Sequence, residues 1–100
     1  MPIRANDPPL TTQEVEDLIG RVPKWSLKEK TIAREFQFKD FRQAMDFVNK
    51  VAEIANDQDH HPDILISYNR ALLTFTTHKI KGLSMNDFIA AAKIDLLADQ

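Results

Sequence analysis

A chain of 100 residues, 43% hydrophobic and 28% charged, has the makeup of one soluble globular domain with a modest core. Its formal net charge of −2 excludes a general electrostatic nucleic-acid binder. The lack of cysteine excludes disulfides, thiolate metal sites and thiol nucleophiles. No apolar run reaches the roughly 18 residues of a membrane span, and Met1-Pro2-Ile3-Arg4 lacks a signal peptide's apolar stretch, so a cytoplasmic protein with no membrane partner is expected.

Residues 1–10, with Pro2, Pro8 and Pro9, read as an irregular lead-in to a domain covering 1–100. Thr11-Thr12-Gln13-Glu14 has the form of a capping box, and Val15, Leu18, Ile19 and Val22 follow at helical spacing. They predict a helix over 12–21, closed by Gly20 and Pro23. Trp25-Ser26-Leu27 reads as a short strand and Lys28-Glu29-Lys30 as a turn. From Thr31 to Phe38 the chain alternates, with Ile32, Arg34, Phe36 and Phe38 on one face of a half-buried strand. Arg34 is the odd residue on that face, placed either to snorkel at the sheet edge or to meet an anion.

Asp40 opens the clearest helix, with Gln43 placed for a second capping box. Phe41, Ala44, Met45, Val48, Val51, Ala52 and Ala55 make its expected buried stripe. Asn56-Asp57-Gln58-Asp59 reads as too polar to continue it, and Pro62 ends it. Ile64–Tyr68 and Leu72–Thr77 are strand signals around a turn at Asn69-Arg70-Ala71, followed by a loop over Lys79–Leu83. Ser84 then caps a last helix, whose expected buried stripe is Met85, Phe88, Ile89, Ala92 and Leu96. The fold class is α+β: a four-stranded antiparallel sheet with three helices on one face, in the order α-β-β-α-β-β-α.

The candidate chemistry lies in Asp59-His60-His61-Pro62-Asp63 and in His78, which together hold all three histidines. Imidazole is the usual proton carrier near neutral pH. Three readings stand side by side: surface or capping residues, a three-histidine zinc site, and metal-free acid–base catalysis. The zinc site meets a geometric obstacle, because neighbouring side chains diverge by about 100° on a helix and to opposite faces on a strand. Acid–base work needs carboxylates to orient the rings, and Asp59, Asp63 and Asp87 are available. There is no P-loop, dinucleotide fingerprint or nucleophile elbow.

These residues closely resemble the pterin-4a-carbinolamine dehydratase family. The likeness runs through His60-His61-Pro62-Asp63, Tyr68-Asn69, Thr76-Thr77-His78 and Gly82-Leu83-Ser84 with Asp87 in the next helix. Upstream it takes in Trp25-Ser26-Leu27, the Arg34–Phe36–Phe38 strand and the helix from Asp40. The resemblance implies a hydro-lyase that dehydrates 4a-hydroxy-tetrahydropterin to quinonoid dihydropterin, recycling the cofactor of aromatic amino-acid hydroxylases. It implies no metal and no cofactor, the pterin being the substrate itself. It makes His60, His61 and His78 catalytic, Asp59 and Asp87 the residues that orient them, and Thr77 a point where strand backbone meets the pterin. It also implies self-association as a dimer or tetramer. One position departs from the pattern: many relatives carry Glu where this chain has Asn56. The alternative function is a non-catalytic pterin- or protein-binding module, such as a dimerisation partner, on the same fold.

Overall fold

The computed structural model describes residues 8–99. The expected lead-in lies outside the described residues for positions 1–7. Helix α1 spans Thr12–Ile19, strands β1 and β2 span Ser26–Lys28 and Thr31–Gln37, and helix α2 spans Phe41–Gln58. Strands β3 (Asp63–Ser67) and β4 (Arg70–Phe75) follow, then a 3-10 turn over His78–Ile80 and helix α3 over Met85–Ala98. The strands form one antiparallel sheet in the order β1-β2-β4-β3. This is the expected α-β-β-α-β-β-α arrangement.

The local signals explain the starts of the helices. Thr11 Oγ1 accepts the Glu14 backbone N–H at 3.2 Å, and Glu14 Oε1 accepts the Thr11 N–H at 2.9 Å. Asp40 caps α2 by accepting the Gln43 N–H at 2.9 Å. Gln43 reaches back one residue further than a capping box requires, to the Lys39 N–H.

Paired residues of an antiparallel ladder share a face, so the register defines the core. Ile32 pairs with Phe75 and Phe36 with Ala71. All four, with Leu73, are buried against the helices. Glu35 and Gln37 lie on the opposite, exposed face. The inward arginine is structural: Arg34 pairs with Asp95 of α3 at 2.5 Å, and Trp25 Nε1 donates to the same Oδ1 at 2.8 Å. Phe36 and Phe47 pack at a tilt with centroids 4.7 Å apart, while Trp25 lies against Phe75 at 5.7 Å.

Four expectations need correction. Helix α2 does not stop before Asn56 but runs to Gln58, because a left-handed Asp59 (φ 50°, ψ 43°) closes it. The Asp59 N–H returns to Asn56 O and the His60 N–H to Ala55 O, so the last carbonyls are satisfied and the polar residues ride on an exposed final turn. The buried stripe of α2 contains Phe47, whereas Phe41 and Ala52 are exposed. The hairpin turn is Tyr68-Asn69, with Tyr68 at φ 52° and Ser67 paired to Arg70. Asn69 fixes it there, donating from Nδ2 to Phe38 O and accepting the Phe38 N–H on its own carbonyl.

The largest correction is the face of α3. Asp87, Phe88, Ala90, Ala91 and Ile94 are buried, while Met85, Ile89, Ala92 and Leu96 are exposed. This helix is apolar nearly all round, so periodicity does not choose its face. Small Ala90 and Ala91 let it approach the sheet closely, and Asp87 and Asp95 have partners only in that orientation.

Candidate active site

The site forms where the end of α2, the end of β4 and the start of α3 meet. The turn at Asp59 sends the chain back on itself, and Pro62 keeps the following residues extended towards β3. His60, placed just inside this reversal, lies flat on Phe75 with centroids 5.7 Å apart and planes 7° from parallel. Phe75 is fully buried, so it gives the imidazole a rigid apolar floor.

At the edge of that ring lies Asp87, the most deeply buried polar residue described. Its Oδ1 meets His60 Nε2 at 2.5 Å. Its Oδ2 accepts the Thr77 hydroxyl at 2.8 Å and the Ser84 backbone N–H at 2.9 Å. Because Thr77 Oγ1 donates to Asp87, it accepts from Ser84 Oγ, 2.7 Å away. Asp87 occupies the first turn of α3, where the helix dipole favours a negative charge. Three donors thus converge on this carboxylate. With Asp87 Oδ1 accepting, the hydrogen of the neutral ring lies on His60 Nε2 and Nδ1 is left without that partner.

Thr77 is locked from both sides. Its backbone N–H and C=O both pair with Gly82, closing the loop that carries the 3-10 turn. The left-handed Lys81 (φ 54°) makes that loop tight enough to return. The N-terminal strap crosses it: the Leu10 N–H bonds to Leu83 O at 2.9 Å, and a Cβ on Gly82 would stand 2.6 Å from Pro9 Cβ.

The other expected residues are more open. His61 is exposed, with Nε2 2.9 Å from Asn56 Oδ1. His78 begins the 3-10 turn immediately after Thr77, is exposed, and has no hydrogen-bonded ring nitrogen among the described residues. Asp59 is exposed, and it places the histidine pair through its backbone turn. The geometry therefore joins His60, Thr77 and Asp87 directly and sets His61 and His78 on neighbouring backbone. Sequence reasoning missed Phe75 as a site residue, although Leu73, Phe75 and Thr77 alternate onto one inward face. It also passed over Ser84 as a partner of Thr77 and Asn56 as a partner of His61. Among the described residues no three His, Asp or Glu side chains converge as a metal site, and no helix is long and apolar enough to cross a membrane.

Comparison with known proteins assigns the chain to a family. The sequence profile of the pterin 4 alpha carbinolamine dehydratase family matches residues 8–97. A relative from Nitrosospira multiformis is 51% identical over 90 residues, covering 90% of this chain and 80% of its own. One from Rubrobacter xylanophilus is 46% identical over 98 residues, covering 97% of this chain and 92% of its own. Both are assigned, provisionally, as pterin-4-alpha-carbinolamine dehydratases. The crystal structure of a transcriptional coactivator/pterin dehydratase from Brucella melitensis superposes with a TM-score of 0.85 at 33% identity, over 90% of this chain and 98% of that one. A pterin dehydratase-like protein identified as a RuBisCO assembly factor shares the fold at a TM-score of 0.61, 20% identity and 74% of this chain. With the profile spanning the sheet, the histidine turn and the first turn of α3 together, the chain belongs to the pterin 4 alpha carbinolamine dehydratase family.

Proposed function

We propose that this protein dehydrates 4a-hydroxy-tetrahydropterin to quinonoid dihydropterin and water by metal-free acid–base catalysis, so returning the cofactor of aromatic amino-acid hydroxylases to its cycle. The observation that carries the reading is the buried Asp87 carboxylate bonded to Nε2 of His60, whose ring stacks on Phe75. A purely structural histidine has no need of an anion held by a threonine hydroxyl and a backbone N–H.

The chemistry asks for two proton transfers. The C4a–O bond breaks with its electron pair on oxygen, and an imidazolium protonates that oxygen so that water rather than hydroxide leaves. The N5–H proton passes to a neutral imidazole, and the N5 electrons form the new C4a–N5 double bond. Assistance of this kind is typically worth about 10²–10⁴-fold. His60, His61 and His78 are the proton carriers and pterin contacts. Asp87 and Thr77 support the site from below, and Asp59 sets the turn that presents the pair. The whole chain acts as one domain, in the cytoplasm, with no cofactor beyond the pterin substrate. Self-association to a dimer or tetramer covers an open sheet edge, where β3 exposes Leu65.

The test is stopped-flow spectroscopy of 4a-hydroxy-tetrahydropterin decay, with the spontaneous rate subtracted. Acceleration that saturates with substrate is expected. Decay unchanged by the protein, with pterin still bound, would replace the dehydratase by a pterin-binding module.

A further inference from the structure

Asn56 lies near the C-terminal end of α2, and the reversal at Asp59 brings His61 back to it. Its Oδ1 stands 2.9 Å from His61 Nε2, the one hydrogen bond the His61 ring makes among the described residues. An amide oxygen carries no hydrogen, so it can only accept. Nε2 must then be the protonated nitrogen whenever the ring is neutral, and it stays so when the ring is cationic.

We propose that Asn56 is a positioning residue that locks His61 in the Nε2–H tautomer, so that Nδ1 alone exchanges a proton with the pterin or accepts its hydrogen bond. This rests on the dehydratase reading above. Adjacent His60 supports it, because that ring too is held at Nε2, by Asp87. The two neighbours therefore present the same free nitrogen, one backed by a buried anion and the other by an exposed neutral amide. The difference is chemical. A carboxylate behind His61 would make the same hydrogen bond with a full negative charge, whereas an amide orients the ring as a neutral acceptor. Asp57, Asp59 and Asp63 flank His61 along the chain, and none of them bonds to its ring. Asn56 thus fixes the tautomer without bringing a charge to the ring.

The experiment uses the intact protein labelled with ¹⁵N on histidine, and reads the imidazole nitrogens by NMR without substrate. In wild type, His61 Nδ1 is expected to give the signal of an unprotonated nitrogen and Nε2 that of an N–H. Asn56→Leu, which fills the space without an acceptor, should give a mixture of tautomers. Asn56→Asp should restore the Nε2–H signature. In parallel, kcat/KM for Asn56→Leu should fall about 3- to 10-fold, the range for loss of one neutral hydrogen bond, with melting temperature unchanged. An Nδ1–H tautomer in wild type, or tautomer populations unmoved by Asn56→Leu, would overturn the lock. Wild-type protein that leaves pterin decay unaccelerated would overturn the dehydratase reading and the catalytic half of the proposal. The spectra would still decide the lock itself, so the two failures are told apart.

Discussion

Replacing Asp87 by Asn keeps the shape of the side chain and removes its charge. In the native arrangement Oδ2 receives two donors, Thr77 and Ser84 N–H, so the remaining oxygen of Asn is best placed there. The amide NH2 then faces His60 Nε2, which must turn from donor to acceptor, and the hydrogen moves to Nδ1. The substitution thus weakens three charge-assisted bonds and inverts the tautomer of the ring. Hydrogen bonds to a charged group contribute about 1.5–3 kcal/mol, and Asn keeps most of the contacts, so a stability loss of about 2–3 kcal/mol is expected. For a domain of this size that lowers Tm by roughly 10–20 °C, and the protein stays folded at 25 °C given a total stability of about 5–15 kcal/mol. The rate effect is larger. A histidine in the wrong tautomer loses its share of acid–base assistance, so kcat should fall about 10²-fold or more. Thermal melts establish the folded fraction, and stopped-flow decay of 4a-hydroxy-tetrahydropterin at 25 °C gives the rate. A folded Asp87→Asn protein that turns over at the wild-type rate would refute the role of the His60–Asp87 pair.

Alanine at His60, His61 or His78 should lower turnover unequally. Stability should change by less than about 1–2 kcal/mol at the exposed His61 and His78, and by more, about 2–3 kcal/mol, at His60, whose loss takes a donor from the buried Asp87. In the double replacements the rate losses should fall short of the product of the single ones, as stopped-flow after background subtraction will show. Gly82→Ala should push the Pro9–Leu10 strap off the Thr77–Gly82 loop, costing about 1–3 kcal/mol, with faster amide exchange at Leu10 as the direct sign. The Thr11 backbone N–H, followed by its hydroxyl, holds the Glu14 carboxyl below the usual carboxylate range. Its contribution is therefore complete above the ordinary carboxylate value and fades as pH falls through the lowered one, so the Thr11 amide should lose protection only in that acid window. Light scattering at micromolar concentration should show at least a dimer, and a strictly monomeric mass would remove the edge-covering proposal.

The alternation from Thr31 to Phe38 and the Thr11–Glu14 capping box were plain in the chain because each is a local pattern with one physical outcome. The face of α3 was not. Met85, Ile89 and Leu96 look as apolar as Phe88 and Ile94, and only the partners of Asp87 and Asp95 on other elements decide between them. The end of α2 was hidden for a related reason: a left-handed Asp59 satisfies the last carbonyls of a polar turn that composition alone reads as a loop. The histidines stood out, yet their division did not. That His60 goes inward onto Phe75 and Asp87 while His61 stays out with Asn56 depends on the handedness of one residue between α2 and β3.

The strand order also bears on how the chain reaches this state. Strands β2 and β4 are neighbours at the centre of the sheet, yet all of α2 and β3 lies between them in the chain. At roughly 5–20 residues per second, β2 is complete some 2–8 seconds before the ribosome finishes Phe75. During that interval Ile32 and Phe36 have no central strand to lie beside, only β1. Closing the β2–β4 ladder is the non-local step, and it should set the folding rate of the whole chain.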